Sequence, residues 1–144
     1  MKSETIRKRI TYIGAGLVIL TTLILAFIVI PGVIVDKTPG LDHEAAIKMI
    51  IITIVLHLLI IYAFREMIII IKRGGRLENI VVIIAGIGLI ILGLFLSDGA
   101  FASLGHDNMQ FVAISWLIGV ANDIIAGILV FIALFLQPRK VLTK

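Results

Sequence analysis

An amide and a carboxylate, Asn122 and Asp123, stand side by side in the run GVANDIIAG, residues 119–127, within an apolar stretch from about Phe111 to Leu136. Asp123 lies about 14 residues from either end of a span covering roughly 109–136, about 21 Å at 1.5 Å per residue, and so near its middle. A carboxylate at that depth of a bilayer is costly unless it is neutral, paired or wet, and it normally faces protein rather than lipid. Ser115, Gly119, Asn122 and Ala126 recur at i, i+4, i+7 and i+11. They form a small or polar stripe on one helix face. Asp123 follows Gly119 by one turn and flanks that stripe. The chemistry open to such a group is to hold, share or pass a proton.

Three partners for Asp123 can be weighed. His57 lies near the middle of a second apolar run, at matching depth, with Thr53 one turn away on the same face. A proton shared between His57 and Asp123 avoids a bare charge in low dielectric, with Thr53 and Asn122 as supporting hydrogen-bond groups. The second arrangement is local: a neutral Asp123 bonded to Asn122, a threonine or water. The third pairs Asp123 with Arg65, against a depth offset of roughly 12 Å. Whichever holds, buried polar groups can equally serve to fix helix packing alone.

Two further groups invite chemistry. Arg65 and Glu66 sit near the inner end of the second run, where Arg65 can snorkel to headgroup phosphates and Glu66 can meet a neighbouring helix or the KRGGR turn. They read as an inner gate, an anion contact or an interfacial ion pair. His43, between Asp42 and Glu44, and His106, before Asp107, lie in outer loops with Asp36 and Asp98. They are the weak metal-ligand candidates, but their spacing is not diagnostic of any site. Helix capping and solvated loops explain the same residues, so no metal and no cofactor is expected.

These residues must be positioned by membrane helices. The chain has 144 residues, is 60% hydrophobic and has a mean hydropathy of +1.20. A soluble domain of that size cannot bury so much apolar side chain. Four runs reach the about 20 residues that a bilayer-crossing helix needs, at approximately 10–30, 45–71, 80–96 and 109–136. The fold expected is all-α: a polytopic membrane protein, one domain over 1–144, built as an antiparallel bundle of four transmembrane helices. The basic start MKSETIRKR precedes an apolar stretch longer than a signal sequence's, and no A-x-A site follows, so the first span reads as an uncleaved anchor.

Ten basic residues collect on one side: Lys2, Arg7, Lys8, Arg9, Lys72, Arg73, Arg76, Arg139, Lys140 and Lys144. Only Lys37 and Lys48 fall on the other. That asymmetry puts both termini and the KRGGR turn in the cytoplasm and makes the chain a multi-pass protein of the cell membrane. Pro31 and Gly32 should end the first span, Asp42 should cap the second, and Gly74 and Gly75 should end it. Asp107 and Gln110 resemble a capping box for the fourth, and Gln137 and Pro138 should stop it. Short connections make consecutive helices neighbours. Gly14, Gly16, Gly86, Gly93, Ser115, Gly119 and Gly127 would allow close packing.

The chain has no cysteine, which excludes disulfides and thiolate chemistry. It also has no Walker loop, G-x-S-x-G or H-E-x-x-H pattern, so it is not expected to be an enzyme. Its positive charge follows topology, and nothing marks nucleic acid as a partner. The expected partners are the lipid bilayer and either further copies of the chain or a larger membrane complex. A haem held between two histidines at like depth would need a second chain, since only His57 is so placed.

The stretch YAFREMIIIIKRGGRLENIVVIIAGIGLIIL, residues 62–92, resembles the middle of the phosphate-starvation-inducible PsiE-like membrane proteins. Those are similar in length and have four spans. Glu66 occupies the place of their acidic residue late in the second helix, and Arg76 to Ala85 follow their basic turn into an Ala-containing third helix. The sequence departs from them at Gly93, Leu94 and Phe95, where a basic residue is common. The resemblance implies a small inner-membrane protein and assigns no catalytic residue. Three functions follow as expectations. The first is a non-enzymatic integral membrane protein, an accessory or stress-linked component. The second is an oligomeric proton-coupled or ion-conducting protein using His57 and Asp123. The third is a membrane subunit of an electron-transfer complex, with His57 as a ligand.

Overall fold

A computed structural model describes residues 2–35 and 43–136. Helix α1 covers Lys2–Ile24 and runs through a π-helical turn, Leu25–Val29, into α2, Ile30–Val35. Helix α3 is His43–Lys72, α4 is Asn79–Leu104 and α5 is Gln110–Phe135, with a 3₁₀ turn at Asp107–Met109 before α5. The described residues are all helix and connection. Four helical segments are long and apolar enough to cross a membrane: Thr5–Val35, Glu44–Lys72, Asn79–Leu104 and Asp107–Phe135.

Their ends differ from expectation in instructive ways. Pro31 and Gly32 do not stop the first span. Proline has no N–H and crowds the carbonyl four residues back. The chain absorbs this in the π turn, where the Ile30 N–H donates to the Leu25 carbonyl, and the helix goes on to Val35. Gly32 lies against Val112 of α5, where a Cβ would overlap the valine side chain. The third span does not stop at Leu96 either. It continues through Ser97 and Asp98 to Leu104, because hydroxyls are satisfied within the helix: Ser97 Oγ donates to the Leu94 carbonyl and Ser103 Oγ to that of Gly99 at 2.8 Å. Ala100 is fully buried there.

The expected close of α3 is seen. Gly74 has φ +72°, Gly75 N–H donates to the Ile70 carbonyl at 2.9 Å and Gly74 N–H to that of Ile71 at 3.0 Å. This is the Schellman arrangement, which favours glycine because only glycine enters that backbone region without strain. The capping box at Asp107 does not form, since α5 begins with no side-chain cap. Gln110 reaches back instead, donating to the carbonyls of Leu104 and His106, and so serves the end of α4. Asp36, Asp42, Gln137 and Pro138 lie outside the described residues.

Helix α5 packs along both α1 and α4, and α1 also packs along α3. Consecutive order is therefore not the rule, because α3 and α4 share a tight turn yet touch little. Small residues explain the choice. A Cβ on Gly127 would stand 2.9 Å from the Gly86 carbonyl oxygen, and one on Gly93 would stand 2.9 Å from Ile124. On the other flank of α5, Gly119 faces Thr21 of α1. Gly14 admits the Phe64 ring between α1 and α3, whereas Gly16, expected at an interface, meets nothing.

Two apolar clusters form the interior. One includes Leu25, Ile50, Leu96, Trp116 and Val120. The other includes Val18, Phe64, Leu89 and Ala126 and lies nearer the Lys72–Arg76 turn. Outward-facing side chains are also apolar: Phe27, Ile80, Phe111 and Phe135 are each more than 60% exposed, an arrangement water does not tolerate on this scale.

Candidate functional site

Between the two apolar clusters lies a layer of polar side chains. On α1 Thr21 and Thr22 sit between Val18 and Ile24. On α3 Thr53 and His57 sit between Ile50 and Phe64. On α5 Asn122 and Asp123 sit between Val120 and Ala126. All six are buried, with His57, Thr21 and Asp123 fully so.

The structure brings His57 and Asp123 into contact. His57 Nε2 and Asp123 Oδ2 are 2.6 Å apart, and both side chains are wholly enclosed. The imidazole reaches across the interior from α3 to α5, two helices that otherwise do not pack side by side. Its other nitrogen, Nδ1, is 2.7 Å from the Thr53 carbonyl oxygen. A carbonyl only accepts, so Nδ1 must carry a hydrogen and donate it. One proton then remains for Nε2 and Oδ2 together. Imidazolium with carboxylate, or imidazole with carboxylic acid, are the two ways to place it, and both leave the pair neutral overall. That neutrality is what lets a carboxylate lie in a dry interior.

The supporting groups differ from those expected. Thr53 serves through its backbone carbonyl, while its hydroxyl donates to the Met49 carbonyl at 2.8 Å. Asn122 Nδ2 has no hydrogen-bond partner, and neither has Asp123 Oδ1. Thr21 of α1 lies beside Asp123. Its hydroxyl hydrogen is directed at the carbonyls of Leu17 at 3.0 Å and Gly119 at 3.2 Å, so Asp123 Oδ1 stays without a well-formed bond. The contact with Gly119, which follows from that residue's lack of a Cβ, was the available signal for Thr21. Ser115 is buried on the same face of α5, one turn before Gly119.

Arg65 does not meet Asp123. It bonds Glu66 at 2.9 Å and lies over the Tyr62 ring at 6.0 Å, with the Arg65 side chain largely exposed and that of Glu66 partly so. Glu66 is thereby engaged by its own neighbour rather than by another helix or the turn. An exposed pair of this kind contributes about 0–1 kcal/mol. His106 is half-buried beyond α4. The side chain of His43 lies outside what the structure describes. Among the described residues no three His, Asp or Glu side chains cluster as metal ligands.

A cleft of about 220 Å³ enters between α3, α4 and α5 at the end away from the Lys72–Arg76 turn, from Ala46 and Asp98 inward to Thr53. Ile50, Leu96 and Trp116 line it, and it ends at Thr53, one turn from His57, whose side chain has no exposed surface. On the other side Phe64 and Leu89 close the layer. In this arrangement the pair is sealed from both ends, and both imidazole nitrogens are engaged.

Compared with known proteins, the chain matches no family model, no relative and no solved structure.

Proposed function

We propose that the protein is a small non-enzymatic integral membrane protein of the cell membrane, with the His57–Asp123 pair as an interior lock between α3 and α5. The observation that carries this reading is the sealed polar layer, a neutral proton-sharing pair with apolar side chains above and below. A conducting path needs a continuous polar or wet route, and apolar layers interrupt one within a single chain. In a bilayer the four spans run antiparallel, with both termini and the Lys72–Arg76 turn cytoplasmic, as the distribution of lysine and arginine favours. An accessory or stress-linked role fits this object and the resemblance of residues 62–92 to the PsiE-like proteins.

Topology is testable directly, because the chain lacks cysteine. Arg76→Cys should react with a membrane-impermeant maleimide only in inverted vesicles, and Asn108→Cys only in intact cells. The reverse pattern would overturn the orientation.

One observation favours a second reading, a proton-coupled protein. The cleft reaches Thr53, whose carbonyl holds His57, and Asp123 keeps one oxygen without a partner. Proton flux in liposomes decides between the two. The lock predicts flux equal to that of empty liposomes for the natural protein and for a folded Asp123→Asn variant. Flux that Asp123→Asn abolishes would replace the lock with a proton path.

A further inference from the structure

Helices α3 and α4 diverge from their shared turn and leave a groove of about 520 Å³. Leu56, Leu59 and Ala63 of α3 and Val81, Ala85 and Gly88 of α4 line it, with almost no polar surface. The groove follows α4 from Val81 to Leu92, about 17 Å of helix. That is about the 15 Å depth of one leaflet's hydrocarbon. It takes in the half of α4 nearest the turn and the middle of α3.

Gly88 identifies the groove as a cradle rather than loose packing. Gly86 and Gly93 on the same helix press against α5, but a Cβ on Gly88 would meet nothing within 4 Å. Its absence of a side chain does not serve contact with another helix and instead deepens the groove. The lining begins at Val81 in the first turn of α4, five residues after Arg76, and the turn before it carries the exposed Arg73 and Arg76. Lys72 is directed away, over the Tyr12 ring at 5.6 Å. Glu66 is engaged by Arg65, and Glu78 opposes the arginines. The turn from Lys72 to Glu78 thus holds three cations against one carboxylate. An apolar slot about one leaflet deep, with a basic turn just before its Val81 end, complements the shape and charge of an anionic phospholipid, and basic pockets between membrane helices bind anionic headgroups.

We propose that the α3–α4 groove is a binding site for one anionic glycerophospholipid, an acyl chain lying over Gly88 and the phosphate meeting Arg73 and Arg76. The site rests on the membrane-spanning reading above. It would also account for α3 and α4 standing apart while joined by a short turn.

The test is native mass spectrometry of the full chain, purified in detergent with equal amounts of phosphatidylglycerol and phosphatidylcholine. One retained phosphatidylglycerol is expected. Gly88→Phe should fill the groove and remove it, and Arg73→Gln with Arg76→Gln should lower the anionic preference about thirtyfold. A second readout does not depend on the phenylalanine variant's folding. Ile84→Trp in a Trp116→Phe background should be quenched more strongly by bromo-acyl phosphatidylglycerol than by the matching phosphatidylcholine. Equal retention of both lipids, retention unaffected by Gly88→Phe, or a dimer that Gly88→Phe dissociates would each overturn the site. The last result would assign the groove to a second copy of the chain. Resistance to alkaline carbonate extraction separates the two levels. A chain that washes off the membrane sinks the membrane-spanning reading itself, whereas one that stays without retaining lipid sinks only the groove.

Discussion

Asp123→Ala is expected to destabilise the protein in detergent micelles by about 3 kcal/mol, the lower end for breaking a buried pair by removing one partner. The lower end applies because His57 can give up its charge. What remains is an imidazole nitrogen enclosed without a partner, itself worth about 1–3 kcal/mol, and a small cavity between α3 and α5. His57→Leu should cost a similar amount by leaving the carboxyl group alone. The double variant His57→Leu with Asp123→Ala removes both polar groups and should fall within about 1–2 kcal/mol of the natural protein, since apolar replacement of a buried pair is often close to neutral. A double-mutant cycle on reversible unfolding in mixed micelles measures the coupling. Additive single losses would show that the 2.6 Å contact contributes nothing to holding α3 against α5. Asp123→Asn keeps a donor for Nε2 and should be the mildest change at the site, at about 1 kcal/mol.

The second large effect is expected where α4 and α5 meet. Gly127→Val places its Cβ 2.9 Å from the Gly86 carbonyl oxygen and from Ile90. The first of these is backbone, so the helices must separate rather than a side chain rotate. The cost should reach about 3 kcal/mol, the upper end for overpacking a close-packed interior. Much of the interior polar layer depends on α5 holding its place between α1 and α4. Gly88→Ala on the same pair of helices should have the opposite sign, a gain of about 0.5–1 kcal/mol, because it adds helix propensity without a clash. Measured in the same micelles, the two substitutions form an internal control. A destabilising Gly88→Ala would show that α3 closes over Gly88 in solution, and a neutral Gly127→Val would show that α4 and α5 are not in backbone contact.

The site was legible in the sequence to an unequal degree. His57 and Asp123 could be matched by depth alone, since both fall at mid-span and helix rise is constant. Thr53 was legible as a neighbour but not in its role. Its side chain was the evident polar group, whereas the helix geometry presents its carbonyl to His57 Nδ1. Arg65 could not be assigned from its position, because a long flexible side chain reaches lipid, solvent or its neighbour with similar ease. Thr21 was obscured because it owes its place to the missing side chain of Gly119 on another helix.

What the sequence by itself determined is local and periodic. Four apolar segments of bilayer length, the glycine stop after α3, the polar face of α5 and the depth of its carboxylate all follow from residue type and spacing along one chain. The extension of α4 past Leu96 and of the first span past Pro31 depended on hydroxyl and π-turn hydrogen bonds that hydropathy does not register. Which helix lies against which was decided only in the tertiary structure. A short loop constrains where the next helix starts, but not how far it stays alongside. Backbone contact at Gly86, Gly127 and Gly93 sets α4 on α5, and the span of one imidazole sets the distance from α3 to α5. The groove between α3 and α4 is what those two choices leave over.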